Sequence, residues 1–145
     1  MTAPATTLTE ALKTHLQGIT TANGYAVTVA SVSVGRSALA GDADGPFPAI
    51  TLTPLQDTPG DTTLPQSRSQ TWTRALVLEA TLQETAAWDA ELDTLFDAIR
   101  TALVRWNSAP LKWSAAEFIP PADGGGLTIL RLPLTLTYRL YLKEP

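Results

Sequence analysis

Leu127-Thr-Ile-Leu-Arg-Leu-Pro-Leu-Thr-Leu-Thr-Tyr-Arg-Leu-Tyr-Leu-Lys143 decides the fold. Leu130, Leu132, Leu134, Leu136, Tyr138, Leu140 and Leu142 hold every second position, with Arg131, Thr135, Thr137, Arg139 and Lys143 between them. A period of two puts the apolar side chains on one face and the polar ones on the other, so the stretch is a half-buried strand. It exceeds the about five or six residues of an ordinary strand and is predicted to reach beyond its own sheet.

Upstream, Pro120-Pro-Ala-Asp-Gly-Gly-Gly126 is a turn and Leu111–Phe118 a candidate short strand. Before these, Trp88, Leu92, Leu95, Phe96, Ile99, Leu103 and Trp106 form one apolar stripe at spacings of three and four. That period predicts a helix from about Ala86 to Trp106, stopped by Asn107–Pro110. Trp72, Arg74, Leu76, Leu78, Ala80 and Leu82 alternate as a second long strand. The sixteen residues Leu55–Gln70, rich in Asp, Thr, Pro and Ser, have little to bury and are predicted to be a long mobile loop. Phe47–Pro54 is a short strand bounded by prolines, and Pro48 lacks an amide donor, which predicts a sheet edge.

At the start, residues 1–6 are predicted to be flexible, and Leu8, Ala11, Leu12, Leu16 and Ile19 form a helical stripe. Thr7 and Glu10 have capping-box spacing, and Gly18 and Asn23-Gly24 mark the helix end. Tyr25–Val34 alternates as a strand whose inward positions step from Val29 to Val32, which calls for a bulge near Ala30-Ser31. Gly35–Pro46 is a loop. The whole is predicted to be one α+β domain, two helices on one face of a mostly antiparallel sheet of about four or five strands.

Composition narrows function. The chain has 145 residues, 44% apolar and 17% charged, so it can fill a globular interior. Sparse charge is balanced by 22 Thr. A net charge of -4 lacks the basic footprint of a sequence-independent nucleic-acid binder. The chain has no Cys and one His, which excludes disulfides, thiol nucleophiles and multi-histidine metal centres. No apolar run reaches the roughly 20 residues that span a bilayer, and Met1–Thr7 has no signal-peptide pattern, so a cytoplasmic origin is expected.

The search for chemistry leaves little. His15 flanks the first helix stripe and reads as a part-buried or interfacial histidine. Gly124-Gly125-Gly126 precedes a strand, without the helix start that holds phosphate. Asp42-Ala43-Asp44-Gly45 opens like a calcium loop but lacks the closing Glu. Asp89, Asp93 and Asp97 recur every four residues beside the second helix stripe, a solvated face, a row of contacts to arginines of another subunit or a site for a divalent ion. Trp88 and Trp106 belong to the stripe and are expected in the core; Trp72 and Trp113 could serve a ligand surface. No catalytic constellation and no cofactor site emerges, and the chain is not expected to be an enzyme.

The pattern as a whole resembles a family. A capped helix leads through Asn23-Gly24-Tyr25 to a Val-rich strand, then Phe47-Pro48-Ala49-Ile50 and a Thr/Ser/Pro loop. A strand and a helix containing Trp88-Asp89-Ala90-Glu91-Leu92-Asp93-Thr94-Leu95 follow, and the chain closes on Leu134-Thr-Leu-Thr-Tyr138-Arg-Leu-Tyr141. Over about residues 7–142 this looks like the small tail terminator or tail-completion proteins of long-tailed bacteriophages and prophages, similar to the minor tail protein U group. The resemblance implies a homo-hexameric ring that ends tail-tube polymerisation and meets a head-side connector, at the head-proximal end of the virion tail. The implied partners are other copies of the chain, the tail-tube protein and the connector, with no membrane and no nucleic-acid sequence recognition. Asp89, Asp93, Asp97, Arg131 and Arg139 are candidate contacts between subunits or rings. The long closing strand and the Phe47 strand offer edges to a neighbour. Alternatives are a neck or head–tail joining ring protein, or a small ligand- or peptide-binding domain.

Overall fold

Proline at its first position and a stripe of small and aliphatic residues start the first helix, α1 (Pro4–Gln17), in the computed structural model. The structure describes residues 3–35, 46–60, 69–83, 85–121 and 126–141. Ala5, Thr9, Leu12 and Leu16 face the core. The helix begins four residues earlier than the capping-box reading places it, and Pro4–Thr7 belong to it. The Thr7 hydroxyl donates back to the Ala3 carbonyl at 3.1 Å instead of capping an amide. A single 3-10 turn, Thr21–Asn23, follows; Thr20 Oγ1 accepts from the Asn23 amide, and Gly24 closes the turn at φ +91°, a conformation that favours glycine.

Strand β1 is only Ser31–Val34, shorter than the Tyr25–Val34 predicted. The expected irregularity is where the sequence puts it. The amides of Ala30 and Ser31 converge on the Pro48 carbonyl, at 2.8 and 3.4 Å, and Val29 and Val32 are both buried. β1 runs parallel to β2 (Ala49–Pro59), from Ser31 opposite Ala49 to Val34 opposite Leu52. The sheet is therefore mixed, because the 36–45 connection, which lies outside the described residues, joins parallel strands and not a hairpin.

β2 extends to Pro59, so residues 55–59 are paired strand where a loop is predicted; of that loop, 61–68 lies outside the described residues. Its partner β3 (Ser69–Gln83) is antiparallel, with one irregularity between Pro54 and Gln56. β3 in turn pairs antiparallel with β6 (Leu127–Tyr141) residue for residue, from Ser69 opposite Tyr141 to Gln83 opposite Leu127. The long closing strand does not outrun its sheet; β3 matches its length. The single strand expected at 111–118 is two, β4 (Leu111–Trp113) and β5 (Glu117–Ile119), both antiparallel to β6. The order is β1-β2-β3-β6-β4 with β5 also on β6. β2 is thus flanked on both sides, and the edge predicted from Pro48 is displaced onto β1.

The second helix, α2 (Trp88–Arg105), buries Leu92, Leu95, Ala98, Ile99, Ala102 and Leu103. These meet Leu12 and Leu16 of α1 and the even-numbered Leu76, Leu78, Leu130, Leu132, Leu134 and Leu136 in one cluster, so both helices cover the same sheet face. Trp106 is buried and its indole donates to the Ala109 carbonyl at 2.8 Å; Trp88 is half-buried.

Towards their other ends β2 from Thr53, β3 up to Ala75 and β6 from Thr135 continue as an arm, which β4 flanks as far as Leu136. The arm's outer β2 edge is guarded. The Leu52 carbonyl accepts from Gly35 on the β1 side, so Pro54, two residues on, turns its missing N–H to the same side, where no strand pairs with it among the described residues. The Gly60 amide bonds inward to Thr71, which puts Pro59 outward as well. Prolines at outward positions block strand addition, so this edge does not suit the pairing with a neighbour that the sequence suggests.

Candidate functional site

The sheet face away from the helices carries a polar row. Ser33, Thr51, Glu79, Arg131 and Glu117 stand opposite one another on β1, β2, β3, β6 and β5. Ser33 and Thr51 hydroxyls are 3.5 Å apart. Arg131 Nε lies 3.5 Å from Glu79 Oε2, and its Nη1 lies 3.8 Å from Glu117 Oε2. Glu79 is fully buried, whereas the Arg131 side chain is 30% exposed and reaches outward to Glu117. A carboxylate taken out of water needs a cation beside it, and Arg131 supplies that cation. Arg131, expected at a subunit contact, is engaged within its own chain.

A second cluster fastens the arm to α1. Arg74 grips Asp57 with two bonds, Nε to Oδ1 at 2.8 Å and Nη2 to Oδ2 at 3.1 Å, and its Nη1 donates to Thr9 Oγ1 at 3.2 Å. The Tyr138 hydroxyl donates to Asp57 Oδ2 at 3.2 Å. The Arg74 hydrogen bonds hold the Asp57 carboxyl below its ordinary pKa, against a smaller opposing effect of burial. The same bonds raise Arg74, and burial, with the nearby Asp57 charge, raises Tyr138. Sequence reading missed this cluster because Asp57 fell in the predicted loop. The signal was Arg74 itself: a charged residue in a slot between Trp72 and Leu76, on the inward face, needs a partner.

On α2 the predicted acidic row is exposed at Asp89, Asp93 and Asp97. Asp97 pairs with Arg100, whose guanidinium also lies 4.1 Å over the Phe96 ring. Arg139 is exposed on β6 opposite Thr71, at the far end of the sheet from the start of α2. Thr71 and Gln83, the last β3 residue before α2, are about 40 Å apart along the strand, so one subunit cannot join Arg139 to Asp89 or Asp93. His15 sits between the helices, with Nε2 2.6 Å from the Ala102 carbonyl and its ring edge-on to Trp106 at 5.4 Å. It joins α1 to α2, the part-buried role expected of it. Asp42–Gly45 and Gly124–Gly125 lie outside the described residues.

A cavity of about 470 Å³, open to solvent, lies between the start of α2 and the segments leading into β1 and β2. Val27, Phe47, Pro48 and Leu82 give it an apolar lining, and Glu91 and Gln83 give it polar groups. Among the described residues no three His, Cys, Asp or Glu side chains group to hold a metal, and no helix is long and apolar enough to cross a membrane. No protein-family model matches the chain, and no curated protein matches it with significance.

Proposed function

We propose that the chain is a structural subunit of a bacteriophage tail, a terminator that closes into a ring, ends tube polymerisation and presents the tail to the head. The observation that carries this reading is the sidedness of the sheet. Helices cover one face, and the two lateral strands, β1 and β4, are unlike each other and lie on opposite sides. A subunit with two different flanks meets its neighbours by heterologous contacts, which close into rings. The sequence elements that resemble the terminator group support the same reading, since they form the Gly24 turn, the lead into β2 and the β6 backbone of the sheet. In this role the polar row and the Asp57–Arg74 cluster keep the tile rigid, and the exposed arm is available for axial contact with the tube.

Tail assembly without the gene tests the proposal. Loss of a terminator leaves tubes of uncontrolled length that do not join heads. Tails of normal length that fail only at head attachment would overturn it in favour of a head–tail joining role.

A further inference from the structure

The chain has two asparagines, Asn23 before Gly24 and Asn107 before Ser108. Asparagine before glycine is a labile pair, because glycine carries no Cβ to shield its backbone nitrogen from the side-chain amide that precedes it. Asn23 and Gly24 are both exposed. Among the described residues no atom stands within 4 Å of where a Gly24 side chain would begin, so water and base reach the pair. The turn nevertheless holds the two reacting groups apart. The Gly24 amide, the attacking group, donates to the Thr21 carbonyl at 3.1 Å. Asn23 Nδ2, the leaving group, donates to the Gly18 carbonyl at 2.8 Å. The Asn23 backbone amide is fixed as well, by the Thr20 carbonyl at 3.1 Å and Thr20 Oγ1 at 3.2 Å.

We infer that Asn23 is a site of spontaneous deamidation that the Thr21–Asn23 turn holds in check, so that conversion proceeds only through opening of the turn. Once Gly24 leaves Thr21, base removes its amide proton and the nitrogen attacks Asn23 Cγ. The N–Cγ bond forms, the Cγ–Nδ2 bond breaks, and Nδ2 departs with a proton as ammonia. Water then opens the cyclic imide at either carbonyl, leaving an aspartate or an isoaspartate in place of Asn23. No electron is transferred, and water is the only co-reactant. Either product weakens the turn. A carboxylate has no hydrogen to give the Gly18 carbonyl, and it brings negative charge to the C-terminal end of α1, the negative end of the helix dipole. Isoaspartate also lengthens the main chain just before Tyr25, whose ring lies under the Arg105 guanidinium of α2 at 5.0 Å. The modification therefore loosens the join between α1 and α2.

Incubating the full chain in mildly alkaline buffer, folded and separately unfolded in guanidinium chloride, tests the inference. Mass spectrometry of the proteolytic peptide that follows Lys13 reads the gain that replaces NH2 by OH, and an isoaspartate assay reads the product. The unfolded chain is expected to convert at Asn23 ahead of Asn107, and the folded chain to convert there at about a tenth of that rate or slower. Thr20→Ala removes the side-chain cap and is expected to speed conversion in the folded chain about fivefold, and Thr20→Ser to restore the wild-type rate. Should Thr20→Ala not fold, Thr28→Ala carries the same expectation, because it takes away the Oγ1 to which the Thr21 amide donates at 3.0 Å. Asn23→Asp makes one product directly and is expected to melt below the wild type. None of these readouts depends on the tail reading. Equal rates in the folded and unfolded chain overturn the inference, as does conversion of Asn107 first or a folded rate that neither threonine variant changes. An unchanged melt of Asn23→Asp overturns the loosening of the α1–α2 join.

Discussion

Glu79 and Arg131 show how one residue's burial sets another's role. Removing Arg131 leaves a carboxylate with no solvent at its side, and breaking such a pair costs about 3 kcal/mol. Arg131→Met is therefore expected to lower the melting temperature well beyond what a surface substitution does; an unchanged melt would show that Glu79 draws its support elsewhere. Thr128 presents the opposite case. Its side chain is fully buried and its Oγ1 has no hydrogen-bond partner among the described residues. Thr128→Val keeps the shape and removes the hydroxyl, so chemical denaturation should report a gain of about 1 kcal/mol. Asp57 adds a pH dependence. Its folded pKa lies below the unfolded value of about 3.9, so its stabilisation is complete above that value and is lost as pH falls through the folded one. Asp57→Asn should cost up to about 1 kcal/mol at neutral pH, with the gap to wild type narrowing in acid. A gap independent of pH would remove the ion pair as its cause.

Helix α2 and strands β3 and β6 were readable from the sequence because each carries a single period over many residues. Leu92, Leu95, Ile99 and Leu103 repeat at three and four, and Leu130 to Leu136 at two, and burial alone accounts for both patterns. Burying one such leucine is worth about 1.5–3 kcal/mol, and truncating it in a filled core costs about 2–5. Leu95→Ala and Leu134→Ala should each produce a loss in that range by denaturant unfolding; losses within error for both would place the core elsewhere. What the period does not contain is who pairs with whom. β1 lies parallel to β2 and not antiparallel because of how the chain crosses between them, and neither strand's residues record that crossing. Residues 55–59 looked like loop for a related reason: Asp57 and Pro59 read as breakers in isolation, but Pro59 sits on an outward edge and Asp57 has Arg74 across the strand pair. The site was legible only in part. Asp89 and Asp93 are exposed as the row predicts, whereas Arg131 has an internal partner that no spacing in the sequence announces.

For the molecule as a whole, the helices protect one half of the long β3–β6 ladder and leave the other. From Leu76 to Leu82 every β3 residue is buried, whereas Thr71 to Ala75 are all half-buried although their pairing continues unbroken to Ser69 and Tyr141. Backbone bonds are equal along the ladder, so any difference in local stability comes from side-chain burial. The arm keeps one strong tie, Arg74 to Asp57 and Thr9, two residues from the helix-covered sheet and five from the arm's tip at Ser69. Amide exchange should therefore be slowest at 76–82 and 129–134, intermediate near Arg74 and fastest at 70–72 and 138–140. If the arm is the surface that meets the tube, adding preformed tubes should slow exchange at its tip and leave the centre unchanged. Uniform protection along β3 in the free subunit would mean that the arm is as stable as the core, and protection appearing only on the helix face would move the tube contact there.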